Sequence, residues 1–171
     1  MQDAKPASTP METNYIKEIY NEGTPLQDNH QYRKVIGKLL YVTTITRPNI
    51  TTVVAILSRK VSKPSQMDWN AVKRVICYLK GTISLGLRLP ASRKCNLIGY
   101  VDWAGDSTDR KATSGYRFLL AEGLISWTSR NQSCVTLSST EVEYVAAAQA
   151  SQELKCLRQL LADLKIKDVS H

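Results

Sequence analysis

The spacing of apolar residues changes twice along this chain of 171 residues, and that change constrains the fold more than any other feature. Between residues 31 and 81, apolar side chains recur every three or four positions, which predicts three short amphipathic helices. After Gly81 the apolar period becomes two, as in strands, and from about Ser139 to Leu164 it is helical again. The sequence therefore predicts an α/β protein, with a helical segment, then antiparallel strands, then one long helix.

The boundaries of the three short helices follow from residues that start or stop helices. The first covers residues 31–43, and Pro48 separates it from the second, because proline disfavours helix in the residue before it. The third begins at Ser65 and Asp68, which fit a capping box, and ends at Gly81.

Five stretches after Gly81 have the strand pattern: 83–89, 96–102, 115–120, 124–129 and 134–138. The third and fourth predict a hairpin in which Gly123 supplies a positive φ. Because the sheet stops early, we expect an exposed edge through which the chain can self-associate. We also expect uncovered leucines on the long helix, such as Leu157 and Leu161.

Charge is unevenly distributed along the chain. Residues 1–30 have a net charge of −3 and three prolines, typical of a linker or an extended segment. Residues 31–90 hold eleven Lys and Arg against one acid, Asp68, for a net charge of +10, and residues 91–171 are close to neutral. A basic excess in one segment predicts contact with a nucleic-acid backbone, while the alternative is a solvated face that aids solubility. The expected central contacts lie on the outer face of the third helix: Lys73, Arg74 and Lys80.

Other features exclude several classes of protein. No apolar run approaches the roughly 18 residues that a membrane span needs, so we expect no membrane partner. The polar N-terminus does not resemble a signal peptide. The four cysteines are far apart and form no CxxC pair, which argues against zinc and favours reduced thiols. We therefore expect a cytoplasmic or nuclear protein that is not secreted.

Two glutamates begin the long helix, and each has a structural explanation. Ser138 with Glu141, and Thr140 with Glu143, both fit a capping box, but only one residue can be the N-cap. If Ser138 is the cap, Glu143 has no local role and can face Asp102 at the end of an apolar strand. A strand carboxylate beside a helix carboxylate is half of a site for magnesium, which prefers oxygen ligands.

Several motifs occur in a fixed order: "YRKVIGKLLYVTTITRPNI", "LSRKVSKPSQMDWNAVKRVICYLKGT", "DWAGDSTDRKATSGY", "ISWTSRNQ" and "LSSTEVEYVAA". From about Lys5 to Leu164 they resemble the downstream end of the Pol polyprotein of copia-type LTR retrotransposons. The resemblance implies a linker at 1–30, a basic tail of the reverse transcriptase region at 31–88, and a truncated RNase H-like domain at 89–171. The parent activities would be RNA-directed DNA synthesis and hydrolysis of RNA–DNA hybrids.

The resemblance also implies a catalytic site. That family's nuclease carries an Asp on its first strand, a Glu on its first helix and two further Asp residues, which together hold magnesium. By motif, the first two are Asp102 and Glu143, the expected catalytic residues and metal ligands. The chain reads "VDWAGD" where the family usually has "DADWAGD", and it ends at His171, before the segments expected to carry the other two acids. We therefore expect binding of an RNA–DNA hybrid or a single strand, no tightly bound magnesium and no complete active site.

Two alternatives to this fragment remain open. One is a working magnesium-dependent ribonuclease H that obtains its missing acids from a partner chain or from residues that the motifs do not identify. The other is a non-enzymatic interaction protein that a host has recruited from the retroelement.

Overall fold

The computed structural model describes residues 4–13, 15, 23–90, 96–104, 112–132 and 138–166. These residues form four α-helices and three strands, which confirms the mixed α/β class. The helices are α1 (His30–Ile45), α2 (Thr51–Ser58), α3 (Gln66–Gly81) and α4 (Ser139–Asp163), and a 3₁₀ turn (Pro48–Ile50) precedes α2. The strands are β1 (Leu97–Ala104), β2 (Thr113–Leu120) and β3 (Gly123–Asn131). The chain divides into two compact units, Met1–Gly86 and Leu87–His171.

The three short helices are confirmed, and α3 begins at the predicted capping box. The Ser65 hydroxyl accepts a hydrogen bond from the Asp68 backbone N–H at 3.2 Å. In return, Asp68 Oδ2 accepts one from the Ser65 backbone N–H at 2.7 Å. These two bonds satisfy amide groups that the start of a helix otherwise leaves without partners.

The helical unit buries one apolar core between its helices. Its buried members are Tyr15, Tyr32, Ile36, Leu39, Ile50, Val53, Val54, Leu57, Val72 and Val75. The sequence did not predict that Tyr15, in a proline-containing and acidic segment, belongs to this core. Its hydroxyl donates a hydrogen bond to Asp68 Oδ1 at 2.5 Å, which connects the N-terminal segment to the start of α3.

Residues 83–89 do not form the predicted strand. The reason is Arg47, which is 7% exposed and donates from Nη1 to the carbonyl of Thr82 at 2.8 Å and of Leu85 at 3.1 Å. The Leu85 N–H also donates to the Thr82 carbonyl, which turns the chain. Backbone groups that a strand ladder needs are therefore already used. Ile83 stays 86% exposed, so the alternating pattern here does not reflect burial in a sheet.

The second unit contains an antiparallel sheet with the order β1-β2-β3. This confirms the predicted strands at 96–102, 115–120 and 124–129. Of the strand predicted at 134–138, residues 134–137 lie outside the described residues, and Ser138 is the N-cap of α4. Gly99 pairs with Phe118. A Cβ atom on Gly99 would lie 2.5 Å from the Phe118 ring, so glycine is required for this ring to pack.

The hairpin between β2 and β3 differs from the prediction in the residues that take a positive φ. Ala121 (51°) and Glu122 (68°) adopt it, and none of the described glycines does. Leu120 pairs directly with Gly123, so the loop has two central residues and Gly123 already belongs to β3. A Cβ atom on Gly123 would lie 3.1 Å from Leu89 Cδ2, so this glycine serves close packing instead.

The long helix α4 begins at the predicted cap, since the Ser138 hydroxyl accepts from the Glu141 backbone N–H at 3.2 Å. Its small residues Ala146 and Ala150 are buried against the sheet. None of the helices in the described part of the chain is long and apolar enough to cross a membrane.

The expected exposure of Leu157 and Leu161 is wrong for Leu161, which is 6% exposed, and Leu157 is half-buried. The uncovered leucines are Leu160 and Leu164, at 54% and 60% exposure. The side of α4 that carries Leu161 is covered in this unit, and the apolar excess lies on the neighbouring side.

Candidate functional site

A buried glutamine shows which face of the sheet α4 covers. Gln132 Nε2 donates to the Ser114 hydroxyl at 2.6 Å and to the backbone carbonyl of Val142, in α4, at 3.0 Å. Gln132 and Ser114 are 1% and 3% exposed. The face of β2 that carries Ser114 is therefore the face against α4.

The two predicted catalytic acids lie on different sides of the sheet, Glu143 in α4 on one side and the Asp102 side chain of β1 on the other. Trp103 pairs with Ser114, and Asp102 pairs with Gly115. Because successive side chains of a strand point to opposite faces, Trp103 faces α4 and Asp102 points away from it. Glu143 of α4 accepts a hydrogen bond from Trp103 Nε1 at 3.2 Å. The structure thus brings Glu143 together with Trp103, and not with Asp102 as the sequence suggested.

This arrangement does not fit a magnesium ion shared by the two acids. Asp102 Oδ1 accepts a hydrogen bond from the backbone N–H of Trp103 at 2.8 Å, and Glu143 Oε1 accepts one from the Trp103 indole. A magnesium site needs carboxylate oxygens that converge on one point in octahedral geometry. Within the described ranges, no group of three or more His, Cys, Asp or Glu side chains could hold a metal.

Arg74, one of the three predicted nucleic-acid contacts, is bonded to the N-terminal segment. Its Nη1 forms an ion pair with Glu12 Oε1 at 2.9 Å, and its Nη2 donates to the Thr9 hydroxyl at 3.0 Å. Arg74 Nε is buried and has no hydrogen-bond partner among the described residues. The N-terminal segment thus supplies acceptors to two of the three guanidinium nitrogens.

The other two predicted contacts differ from each other. Lys80 is exposed, and its ammonium donates to the backbone carbonyl of Ala4 at 3.0 Å. Lys73 is exposed, and its ammonium lies 5.6 Å from the centroid of the Trp69 ring, a cation–π contact. Two of the three predicted cations are therefore bound by the N-terminal segment of the same chain.

The structure adds an exposed stripe on α1 that sequence reasoning did not single out. It consists of Lys34, Lys38, Tyr41 and Ile45. Steps of four, three and four residues place these side chains on one side of a helix. Tyr41 and Ile45 are 69% and 51% exposed, and both lysines are exposed. The spacing of three and four residues indicated this stripe in the sequence. The apolar residues of α1 that point into the core recur at the same spacing.

A shallow depression lies at the first turn of α1, beside the stripe. Its volume is about 550 Å³, and it is lined by Asn29, His30, Arg33 and Lys34. Cationic side chains and an aromatic ring along one helix are the components that bind phosphates and unstacked bases.

Curated proteins similar to this chain include retroelement polyproteins. The retrovirus-related Pol polyprotein from transposon RE2 of Arabidopsis thaliana is 41% identical over 173 aligned positions, which cover 100% of this chain and 12% of that protein. The corresponding polyprotein from transposon TNT 1-94 of Nicotiana tabacum is 37% identical, covering 96% of the chain and 13% of the polyprotein. The chain thus spans about one eighth of the length of these polyproteins.

A relative of similar length has a different name. The secreted RxLR effector protein 161 of Plasmopara viticola is 42% identical over 127 residues, which cover 73% of this chain and 89% of that protein. No family model matches the chain. No solved structure matches it either.

Proposed function

Because the chain belongs to the Pol polyprotein family of copia-type LTR retrotransposons, we propose that it is a polyprotein segment that holds nucleic acid through its helical unit. The ligand would be a single strand or an RNA–DNA hybrid, the nucleic acids on which the parent polyprotein acts. The second unit would be part of an RNase H-like domain, a proposal supported by its antiparallel sheet and the helix that follows.

One observation carries this proposal: the only acid between residues 31 and 90 is buried. Asp68 is 2% exposed, and its carboxylate accepts hydrogen bonds from Tyr15 and Ser65. It therefore neutralises none of the exposed cations of that stretch. Of its eleven Lys and Arg residues, only Arg47 is buried. A surface with this balance attracts a polyanion over distances comparable to the Debye length, about 8–10 Å in ordinary buffers.

The stripe on α1 offers a way to bind without reading sequence. Lys34 and Lys38 lie one helical turn apart, so both can contact phosphates of one strand. Tyr41 follows on the same side and is largely exposed, so that its ring is available to stack on a base. Such stacking does not depend on base identity. We therefore expect binding with little sequence preference.

The separation of Asp102 from Glu143 favours binding over hydrolysis. Two-metal hydrolysis requires carboxylates that hold ions about 3.5–4 Å apart on one side of the phosphate. Asp102 and Glu143, on opposite sides of the sheet, do not meet this requirement. For the described part of the chain, binding is thus the activity that the geometry supports best.

The test compares two matched double variants in the full chain. Lys34→Ala with Lys38→Ala removes two exposed cations of α1, and Lys155→Ala with Arg158→Ala removes two exposed cations of α4. Fluorescence anisotropy would measure the affinity of each protein for a labelled oligothymidylate and for an RNA–DNA hybrid. We expect the first pair to weaken binding about tenfold or more and the second pair to have little effect. Equal weakening by both pairs, or by neither, would contradict this assignment.

A second candidate function rests on the effector relative. The alignment with this chain covers 89% of that protein, whose name describes a secreted effector. We infer from that name a protein that acts by binding other proteins. On this alternative the exposed apolar residues of α1, such as Tyr41 and Ile45, would contact a protein. A chain that binds no nucleic acid at low salt, but loses a protein partner on Tyr41→Ala, would favour it.

A further inference from the structure

Residues 4–13, here called the N-terminal strap, run along α3 and supply oxygen acceptors to its cations. The Glu12 carboxylate and the Thr9 hydroxyl accept hydrogen bonds from Arg74. The Ala4 carbonyl accepts one from Lys80. Arg74 and Lys80 thus donate to a carboxylate, a hydroxyl and a carbonyl oxygen. Phosphate oxygens of a nucleic acid are acceptors for the same donors.

The strap is fixed to the helix by further contacts. The Ala7 N–H donates to the Cys77 carbonyl at 3.3 Å, near the end of α3. Pro6 packs on Gly81, where an added Cβ atom would lie only 2.9 Å from the proline Cβ. Just beyond the strap, Tyr15 is buried and bonded to Asp68. Tyr15 therefore provides an attachment point that does not depend on the contacts of the strap with Arg74 and Lys80.

The contacts that the strap makes with Arg74 are easy to exchange. The Glu12 side chain is 69% exposed, and an ion pair of such exposure is weak because water and salt screen it. Arg74 Nε has no acceptor among the residues that the structure describes. A phosphate group can accept hydrogen bonds from two guanidinium nitrogens at once, including Nε. The Glu12 and Thr9 side chains bind only Nη1 and Nη2.

Space for such a group exists next to the guanidinium. A cavity of about 260 Å³ borders Arg74 and is lined in addition by Glu12, Tyr15, Met67, Asn70 and Ala71. Its walls combine a cation and an amide with apolar side chains, and Glu12 is its only acidic lining residue among those described. Removal of the Glu12 carboxylate would leave a cationic recess.

We propose that the strap and the phosphate backbone of a nucleic acid compete for Arg74 and Lys80. This inference rests on the proposed function and adds a competitor that the chain itself carries. While the strap is docked, α3 contributes little to binding. The apparent affinity of α3 for nucleic acid is therefore its intrinsic affinity multiplied by the fraction of molecules in which the strap is undocked. Bound nucleic acid must in turn weaken the docking of the strap by the same factor.

The experiment uses two variants that change the net charge equally. Glu12→Gln removes the ion pair with Arg74, and Glu122→Gln removes a carboxylate from the hairpin turn of the other unit. The probe is a fluorescein-labelled oligothymidylate at low salt. We expect Glu12→Gln to bind about two- to fivefold more tightly than Glu122→Gln, the range given by a surface ion pair. Equal affinities of the two variants would overturn the competition.

Hydrogen exchange gives a second readout that a change of surface potential alone would not move. In the wild-type chain, the Ala7 amide donates to Cys77 only while the strap is docked. Addition of oligothymidylate should therefore speed exchange at Ala7 and leave amides in the core of α3, such as that of Val75, unchanged. Unchanged or slower exchange at Ala7 in the bound protein would show that nucleic acid does not displace the strap.

The two levels of the account fail in different ways. If the wild-type chain and both variants bind neither oligothymidylate nor an RNA–DNA hybrid, the proposed function is wrong and this inference with it. If the wild-type chain binds, but Glu12→Gln matches Glu122→Gln and Ala7 keeps its protection, only the competition is wrong.

Discussion

Trp103 donates its indole N–H to Glu143 at 3.2 Å, while the adjacent Asp102 points to the other face of the sheet. A glutamate that the sequence assigned to a metal is thus bonded to a tryptophan. This relationship determines what we expect of catalysis.

In the presence of magnesium, the full chain should leave the RNA strand of an RNA–DNA hybrid intact. The physical reason is that Asp102 and Glu143 do not converge on one ion. A labelled hybrid analysed on a denaturing gel measures this directly. Cleavage that is lost in both Asp102→Asn and Glu143→Gln would show that the two carboxylates do cooperate.

Replacement of Arg47 should destabilise the helical unit. Arg47→Met keeps an unbranched apolar side chain but removes the donors to the carbonyls of Thr82 and Leu85. We expect the free energy of unfolding to fall by about 2–3 kcal/mol, since two hydrogen bonds from a charged and buried donor are lost. Urea denaturation measures the change. The exposed Lys63→Met serves as the control, and an equal effect of both variants would argue against a role for these bonds.

The helical unit should lose stability in alkaline solution. Burial, together with the nearby Asp68 carboxylate, raises the pKa of Tyr15 and of Tyr32 well above the ordinary tyrosine value. The unfolded chain releases these phenolic protons near pH 10, while the folded chain keeps them. Stability is therefore fully present below pH 10 and falls as the pH rises further, by up to about 1.4 kcal/mol per pH unit for each tyrosine.

Tyr15→Phe tests this pH dependence. The variant should be less stable at neutral pH, because Asp68 loses a donor, and its stability should fall less steeply above pH 10. Unfolding by urea at several pH values measures both quantities. An alkaline slope equal to that of the wild-type chain would mean that Tyr15 is not the group responsible.

The hairpin turn offers a stabilising change. Ala121 and Glu122 both have a positive φ, which residues other than Gly, Asn and Asp adopt only at a cost in free energy. Ala121→Asn with Glu122→Gly should raise the unfolding free energy of the second unit by about 1 kcal/mol. Thermal unfolding followed by circular dichroism checks this. Glu122→Gln, which keeps a side chain at that position, should not reproduce the gain.

Much of the fold follows from local signals in the sequence. The capping box of Ser65 and Asp68 is a short-range pattern with one structural meaning, and it marks the start of α3. The alternation within β1 and β2 is similarly local, because each of these strands has one face against α4. These elements required no knowledge of distant residues.

The features that the sequence did not predict depend on contacts between residues that are distant in the chain. Arg47 takes carbonyls that lie 35 and 38 positions further along the chain, so the strand expected at 83–89 does not form. Tyr15 reaches Asp68 across 53 positions, which no local pattern indicates.

The candidate site shows the same limit. A step of one residue decides whether Asp102 or Trp103 faces Glu143, and only the register with β2 determines this. The composition shows the basic segment. It does not show that the Glu12 carboxylate binds Arg74 and that the Ala4 carbonyl binds Lys80.

The salt dependence of nucleic-acid binding tests the central claim most directly. Association of the full chain with oligothymidylate, measured between about 50 and 200 mM salt, should weaken along a straight line of log Kobs against log salt concentration. Each contact with a phosphate of a single strand contributes about 0.7 to the slope, so Lys34→Ala with Lys38→Ala should reduce its magnitude by about 1.4. The control pair Lys155→Ala with Arg158→Ala should leave it unchanged. An affinity that does not depend on salt, or a slope that the two changes on α1 leave intact, would contradict nucleic-acid binding through the helical unit.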